Sequence, residues 1–395
     1  MKPGVESRRA AAQTVGRVMR SGAYSNRLVE ASSLKGQDAD HFSFLTYTTL
    51  RHLIRVDEVI EIYTRKPMAA LDDEVGDVLR VGVTELLYGR APAHSVVDTA
   101  VESIKTGRRA RAAGFINGVL RAVSRGEHDA HPVSDPRLEY PDWLVRTLDR
   151  DWATEDVDAF LAASLGDANR QVRARPGIAT STLTPVEGIA GAFDWLDRGE
   201  VPAGFIVQDA ASVAVGNAVP LEPDDLVLDM AAAPGGKAIH LSDRGARVVA
   251  ADRHVRRVMS GLKRAPGIPW VAADGAHPPF RRETFDHVLL DAPCSGLGTM
   301  RRRPEIRYRA DEDTIKSMAK LQRVLLDAAL GLVRPGGTVT YSVCTITPEE
   351  TIEVVAGLPA NPPPSLPGRV WGNGVLLAPH LTGTDGMFIS VVRRS

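Results

Sequence analysis

Leu226-Val227-Leu228-Asp229-Met230-Ala231-Ala232-Ala233-Pro234-Gly235-Gly236-Lys237 is the stretch that decides the fold of the second half of the chain. An apolar run ends in an acid, a loop of small residues follows, and helical sequence continues beyond Lys237. This order predicts a buried strand, a tight turn and a helix. Because small residues let a backbone approach a ligand closely, we expect a ligand-binding loop at residues 231–237.

Four further strand-like runs alternate with helical sequence; they are residues 247–252, 270–274, 287–291 and 338–341. Strands separated by helices predict a mostly parallel sheet that is covered on both faces. The first three of these runs end in an aspartate, namely Asp252, Asp274 and Asp291, as the opening run ends in Asp229. Ligands bind at the carboxyl edge of such sheets. The sequence therefore predicts an α/β Rossmann-like domain at residues 201–395 with a site at that edge.

The nature of the ligand follows from what the loop at residues 231–237 lacks. It has neither the G-x-G-x-x-G of a dinucleotide site nor the G-x-x-x-x-G-K-[ST] of a phosphate loop. This favours a nucleoside ligand without a pyrophosphate, and S-adenosylmethionine fits. An acid at the second strand end, Asp252, suits ribose hydroxyls. A generic tight turn with helix-capping aspartates is the alternative interpretation.

The first part of the chain has a different pattern. Apolar residues recur at helical spacing through residues 1–126, as in Val15, Val18 and Met19, which predicts an all-α domain. Residues 127–200 are interpreted as a linker followed by a small intermediate subdomain, because residues 126–141 are polar and broken by histidines and prolines. The chain is thus predicted to have three parts.

Composition excludes some classes of protein. Hydrophobic residues make up 44% and charged residues 25%, which is ordinary for a globular protein, and no apolar run reaches the ~18 residues of a membrane span. The net charge of −1 argues against a uniformly basic nucleic-acid binder. Basic side chains nevertheless cluster and could contact phosphates locally. The clusters are Lys105, Arg108, Arg109 and Arg111; Arg253, Arg256, Arg257, Lys263 and Arg264; and Arg301, Arg302, Arg303, Arg307 and Arg309.

The chain has only two cysteines, and both follow predicted strands. Cys294 lies in Asp291-Ala292-Pro293-Cys294-Ser295-Gly296, and Cys344 lies in Tyr341-Ser342-Val343-Cys344-Thr345. Buried structural cysteines are the ordinary alternative. The neighbouring motifs favour thiol chemistry, and reactive thiols without a disulfide framework fit a reducing cytoplasm.

Together these motifs resemble a known family. Residues 231–237, 291–296, the run Arg301-Arg302-Arg303-Pro304-Glu305, and residues 341–345 followed by Pro348-Glu349-Glu350 are similar to the RNA 5-methylcytosine methyltransferases, and to their Sun/Fmu (RsmB-like) subgroup acting on 16S ribosomal RNA. Residues 91–94 and 115–121 are similar to marker segments of the NusB-like helical domain in that subgroup. The resemblance covers nearly the whole chain. It implies an all-α NusB-like domain followed by a class I S-adenosylmethionine-dependent methyltransferase domain.

The resemblance also implies roles for individual residues. Cys344 is expected to be the nucleophile that adds to C6 of cytosine, with Asp291 holding the base edge and Cys294 assisting release. The Pro-Cys pair of DNA cytosine methyltransferases would instead make Cys294 the nucleophile. S-adenosylmethionine is expected to contact Ala231, Ala232, Ala233, Pro234, Gly235, Gly236, Lys237, Asp252, Asp274 and Asp291.

Partners and alternatives complete the expectations. The resemblance implies ribosomal RNA as the partner, in an unassembled or partly assembled small subunit, with no metal and a monomeric protein in the cytoplasm. The helical domain and the Arg301–Arg303 run are expected to contact the RNA. A tRNA cytosine-C5 methyltransferase and a non-catalytic RNA-binding or antitermination factor remain alternatives. An amino-directed methyltransferase is disfavoured, because it would need an Asn/Asp-Pro-Pro-Tyr/Phe loop at residues 291–294.

Overall fold

The protein is described by a computed structural model that covers residues 4–105, 107, 109–126, 135–197 and 199–395. Arg108 and residues 127–134 of the predicted linker lie outside the described residues. The chain forms two compact units. The helical unit comprises Met1–Arg146 and Arg303–Arg309, and the sheet unit comprises Thr147–Arg302 and Ala310–Ser395. The three-part division predicted from the sequence stays a prediction.

The helical unit is built mostly from helices that bury an apolar stripe. On α1 (Val5–Ser21), for example, Val15 and Val18 are buried, and Leu79 on α5 (Asp73–Tyr88) is fully buried. A buried ion pair joins these two helices, because Arg8 donates to both carboxyl oxygens of Glu85 at 2.7 and 2.5 Å. The helices are α1 (Val5–Ser21), α2 (Ser25–Glu30), α3 (Gly36–Arg51), α4 (Leu53–Thr64), α5 (Asp73–Tyr88), α6 (Ala93–Lys105) and α7 (Ala113–Ser124).

A short segment from late in the sequence completes the helical unit. Its 3₁₀ turn, Pro304–Tyr308, carries Glu305, which accepts hydrogen bonds from the backbone N–H and hydroxyl of Ser25 at 3.0 and 2.8 Å. The fully buried Arg307 guanidinium lies 4.1 Å from the centre of the Tyr140 ring. It also donates to the Arg51 carbonyl. The sequence did not predict that this segment is interior to the helical unit.

The sheet unit begins with a small antiparallel sheet. Two helices precede it, α8 (Asp142–Asp151) and α9 (Thr154–Leu165), and the boundary between the two units falls within α8. The strands of the small sheet are β1 (Gln171–Ala174), β2 (Thr184–Pro185), β3 (Ala192–Asp194) and β4 (Phe205–Val207). Their order is β2-β3-β1-β4. Arg173 on β1 connects this small sheet to the rest of the sheet unit, because it donates a hydrogen bond to Asp243 at 2.8 Å.

The main sheet has a parallel core. Its strands are β5 (Leu226–Asp229), β6 (Arg247–Asp252), β7 (Trp270–Ala272), β8 (Phe285–Asp291), β9 (Val333–Val343), β10 (Ala360–Asn361), β11 (Arg369–Trp371), β12 (Gly374–Leu377) and β13 (Met387–Arg393). The order is β11-β12-β13-β9-β8-β5-β6-β7, with β10 paired to β13. The helices are α10 (Ala210–Ala218), α11 (Gly236–Asp243), α12 (Val255–Arg264), α13 (Glu312–Leu332) and α14 (Pro379–Thr382).

The predicted fold class, an all-α part followed by an α/β Rossmann-like part, is confirmed, with two corrections of detail. The strand predicted at residues 270–274 ends at Ala272, because Asp274 begins a turn in which its carboxylate accepts from the Ala276 N–H at 3.1 Å. Strands β5 to β9 pair in parallel, but β10 to β13 add an antiparallel edge that the sequence analysis missed.

Candidate active site

The loop after β5 is shaped for close approach to its surroundings. Gly235 has a φ of +106°, and a Cβ there would lie 3.1 Å from the Trp270 ring, so a larger residue would be strained. The loop is pinned by a backbone hydrogen bond from Ala232 to the Ala251 carbonyl at 2.8 Å. Arg257 on α12 donates to the Ala233 carbonyl at 2.6 Å. The predicted cofactor loop is therefore fixed by hydrogen bonds to strand β6 and helix α12.

The two acids predicted for the nucleoside differ in their surroundings. Asp252 ends β6, is 1% exposed, and accepts from the His254 N–H through Oδ1 at 3.0 Å. Its Oδ2 accepts no hydrogen bond, although the Arg257 guanidinium lies 3.3 Å away. Asp274 is exposed and lies two residues beyond β7, the parallel neighbour of β6. The structure thus places both acids at one edge, but of the two only Asp252 is buried and has a carboxyl oxygen that accepts no hydrogen bond.

Asp229 is a further acid at this edge, which the sequence noted as a strand end but did not include in the site. It is 1% exposed, and neither carboxyl oxygen receives a hydrogen bond of ordinary geometry. Burial raises the pKa of Asp229 to about 7, against the opposing charge of Lys237. An unsatisfied buried carboxylate is costly. Its position beside the loop points to a ligand that supplies donors.

Lys237 and Asp291 form the centre of the edge. The ammonium donates to Asp291 Oδ2 at 2.7 Å, and the Ser342 hydroxyl donates to Oδ1 at 2.9 Å. This geometry follows from the sheet, because Asp291 on β8 pairs in register with Ser342 on β9. Burial disfavours the charge on Lys237, but Asp291 outweighs it and raises the pKa of Lys237. Lys237 is therefore a cation and Asp291 an oriented carboxylate.

The two cysteines meet at the ends of the neighbouring strands β8 and β9. Their sulfur atoms lie 3.3 Å apart, and both thiols are free and partly buried. The hydrogen bond with Cys344, followed by burial, raises the pKa of Cys294 well above its usual value. A raised pKa means that the Cys294 thiol keeps its proton at neutral pH. The structure brings Asp291, Cys294 and Cys344 together, and their catalytic roles stay a prediction.

Sequence reasoning missed three side chains that hold this site, namely Ser342, Gln322 and Glu350. Gln322 on α13 donates to the Pro293 carbonyl at 2.8 Å, and Glu350 accepts from the Ser295 N–H at 2.8 Å. Glu350 lies in the segment at residues 348–350 that resembles the methyltransferase family, but no local pattern indicated which groups it contacts. Nothing in the sequence indicated a role for Gln322, because it lies in an amphipathic helix and is 29 residues from Pro293, to whose carbonyl it donates.

Arg301 and Arg302, which are expected to contact RNA phosphate, also have partners within the protein, so their contact with RNA stays a prediction. Arg301 donates to the Gly383 carbonyl at 2.8 Å, and its side chain is 10% exposed. Arg302 bridges two carboxylates, Asp209 at 2.7 Å and Asp385 at 3.1 Å. Both guanidinium groups are engaged within the sheet unit. Only Arg303 of the run is exposed.

We therefore expect Arg302→Ala to lower the free energy of unfolding, by about 1–3 kcal/mol, because Asp209 and the buried Asp385 lose a charged partner. Urea unfolding followed by circular dichroism measures this. Arg303→Ala is the matched control and is expected to change stability by less than about 0.5 kcal/mol. A weaker salt dependence of RNA binding in Arg302→Ala, with unchanged stability, would favour the phosphate interpretation.

The residues at the edge fit S-adenosylmethionine. The fit rests on the unbonded Oδ2 of Asp252, the unbonded carboxylate of Asp229, and the tight Gly235 turn beside them. Within the described parts of the chain, no group of three or more His, Cys, Asp or Glu residues is arranged to hold a metal ion. None of the helices in those parts has the length and apolar character needed to cross a bilayer.

Comparisons with known proteins identify the family of the chain. A family model described as 16S rRNA methyltransferase RsmB/F matches residues 217–393, and one described as the NusB family matches residues 5–125. A putative methyltransferase of Mycobacterium tuberculosis is 34% identical over 446 residues, covering 100% of this chain and 97% of that protein. Ribosomal RNA small subunit methyltransferase B of Vibrio cholerae is 30% identical over 428 residues, covering 98% and 97%.

One solved structure shares the fold along the whole chain. The crystal structure of PH0851 matches with a TM-score of 0.82 at 20% identity, covering 100% of this chain and 99% of that one. A methyltransferase homolog from Pyrococcus horikoshii matches with a TM-score of 0.51 at 22% identity, covering 65% of this chain and 100% of that one. At these identities the likeness supports the architecture of the helices and sheet.

Proposed function

Because this chain belongs to the RsmB/F family of 16S rRNA methyltransferases, we propose that it methylates C5 of a cytosine in 16S rRNA through a covalent bond between Cys344 and C6. S-adenosylmethionine is the proposed methyl donor. Unassembled or partly assembled small-subunit RNA is the proposed substrate, and the protein is proposed to act as a monomer in the cytoplasm, where both thiols stay reduced.

The observation that carries this proposal is the pair of thiols 3.3 Å apart beside Asp291. C5 of cytosine is a poor nucleophile, and adding a thiolate to C6 makes it react like an enamine carbon. Attack and release are separate steps that need different groups, so two thiols at one base suit the reaction. A methyltransferase acting on an amino group needs no thiol.

Three residues of the site have separate roles in the proposed methyl transfer. Cys344 forms the sulfur–C6 bond as a thiolate, with Cys294 donating a hydrogen bond to it. Asp291, oriented by Ser342 and Lys237, accepts from the exocyclic amino group of the base. When bound, S-adenosylmethionine supplies an electrophilic methyl group. After C5 is methylated, its proton passes to solvent, the C5–H electrons form the C5–C6 double bond again, and the sulfur–C6 electron pair returns to Cys344. Cys294, which donates to that sulfur, is the group placed to assist its departure.

Mapping by bisulfite sequencing tests the substrate. RNA from cells with and without this protein is compared, and the expected result is loss of a single protected cytosine in 16S rRNA when the protein is absent. Loss of protection in tRNA instead would favour the tRNA alternative. Unchanged maps in both RNA classes, together with no methyl transfer in vitro, would favour the non-catalytic RNA-binding factor.

Asp252→Ala is expected to weaken S-adenosylmethionine binding by about 1–3 kcal/mol, because a charge-assisted hydrogen bond to the ribose is lost. Isothermal titration calorimetry measures this. Asp274→Ala is the matched comparison, and its effect is expected to be smaller because Asp274 is exposed. An unchanged affinity in Asp252→Ala would remove this residue from the cofactor site.

A further inference from the structure

Glu350 is a fully buried carboxylate that accepts five hydrogen bonds. Its Oε1 accepts from the Ser295 backbone N–H at 2.8 Å and from the Gln322 amide at 3.1 Å. Its Oε2 accepts from the hydroxyls of Ser295, Thr345 and Thr347 at 2.5, 3.0 and 3.2 Å. A carboxyl group can accept so many hydrogen bonds because its two oxygens carry several lone pairs.

The donors come from both cysteine loops. Ser295 directly follows Cys294, and Thr345 directly follows Cys344. The Ser295 and Thr345 hydroxyls are themselves 2.8 Å apart. The carboxylate of Glu350 therefore joins the residue after one thiol to the residue after the other.

The main chain on either side is also fixed. The buried hydroxyl of Tyr341 on β9 donates to the Glu350 carbonyl at 2.7 Å. The amide of Gln322 reaches the Pro293 carbonyl as well as Glu350, which ties the first cysteine loop to α13. Glu350 is thus anchored to strand, helix and both loops.

A purely structural role explains this arrangement less well. The five hydrogen-bond donors to Glu350 described above are all uncharged groups. Burying a carboxylate costs several kcal/mol, and apolar residues often fill such a space with no loss of stability. The donors to Glu350 are instead placed where they set the geometry of the two loops that carry the sulfur atoms.

We propose that Glu350 is a positioning residue that fixes the distance between the Cys294 and Cys344 sulfur atoms, and so sets how fast the enzyme–RNA bond is broken. The second part rests on the proposed function. Attack by Cys344 on C6 needs one sulfur at the base, whereas elimination needs Cys294 in reach at the same time. Loss of Glu350 therefore impairs release more than attack.

The first experiment measures thiol proximity without RNA. Full-length wild-type protein and Glu350→Gln are treated with diamide, which oxidises two thiols to a disulfide and is itself reduced to the hydrazine. The disulfide is scored by a mass decrease of about two hydrogen atoms and the loss of two free thiols. We expect the Glu350→Gln pair to form the disulfide at least about tenfold more slowly, since the rate depends on sulfur approach.

The second experiment measures release. In single-turnover reactions with RNA and S-adenosylmethionine, Glu350→Gln is expected to form the covalent adduct at nearly the wild-type rate but to resolve it about 10–100-fold more slowly. The KM for RNA is expected to stay within about twofold, since no RNA contact is removed. In a Cys294→Ala background, Glu350→Gln is expected to cause no further slowing, because the two changes act on one step.

Glu349→Gln is the matched control, because it makes the same substitution at the neighbouring residue, which pairs with Arg150 at 2.6 Å. It is expected to behave like wild type in both experiments. Equal disulfide rates in wild-type and Glu350→Gln protein would overturn the positioning role. Different disulfide rates with no RNA adduct in any variant would uphold that role and overturn the covalent mechanism.

Discussion

Cys344→Ala is expected to abolish methyl transfer and to leave no protein bound to RNA after denaturing electrophoresis. The sulfur of Cys344 forms the only bond proposed between enzyme and base, so no route to an activated C5 remains without it. The measurement is transfer of a radiolabelled methyl group to RNA, with the gel run in parallel. The loss is expected to exceed about a thousandfold, as is usual when a nucleophile is removed.

Cys294→Ala, compared with Cys344→Ala, tests which of the two cysteines is the nucleophile. This variant is expected to attack and methylate but to stall before release, so that an RNA–protein adduct accumulates. The two substitutions remove the same atom from neighbouring loops and are each other's control for folding. The opposite pattern, with the adduct in Cys344→Ala, would make Cys294 the nucleophile, as in DNA cytosine methyltransferases. Full activity in both variants would exclude covalent catalysis.

Asp229→Asn is expected to stabilise the ligand-free protein at alkaline pH and to weaken its binding of S-adenosylmethionine. The pKa of Asp229 in the folded protein is raised to about 7, against about 4 in an unfolded chain. Between those values the folded protein holds a proton that the unfolded chain releases, so its stability falls as pH rises through this interval. The side chain of asparagine does not ionise, so the variant lacks this loss of stability with rising pH.

The expected gain is about 2–4 kcal/mol at pH 8, and it disappears near pH 4, where both states of wild-type protein are protonated. Urea unfolding at several pH values measures it. Asp224→Asn is the control, because Asp224 is exposed and precedes the same strand. A gain that is constant with pH would show that packing, not the ionised carboxylate, causes the difference. Unchanged cofactor affinity would remove Asp229 from the site.

Much of the sheet could be predicted from the sequence because its signals are local. A short apolar run ending in an acid marks β5 and β6, whose bounds match the predicted ones, and it places Asp229 and Asp252 at one edge. The same pattern misled at Asp274, because the apolar run continues through Ala273 although the strand ends at Ala272 and the chain already turns. Propensity cannot separate these cases, since sheet pairing decides where a strand ends.

The interactions that hold the site could not be predicted, because they join residues distant in sequence. Arg302 looked like part of an exposed basic run, but it bridges Asp209 and Asp385. The order of charges along the sequence does not show which distant residues pair with one another. Glu350 likewise has donors in two loops and on α13. Both cases needed the three-dimensional placement of groups that the sequence presents as unrelated.

The segment Arg303–Arg309 has a consequence for how the protein is made. It supplies Glu305 and Arg307 to the interior of a unit whose other residues end at Arg146. During synthesis, the first 146 residues emerge from the ribosome long before this segment is translated. The N-terminal unit therefore cannot complete its interior until most of the second unit has been made, and a gene fragment that stops at residue 146 encodes an unfinished domain.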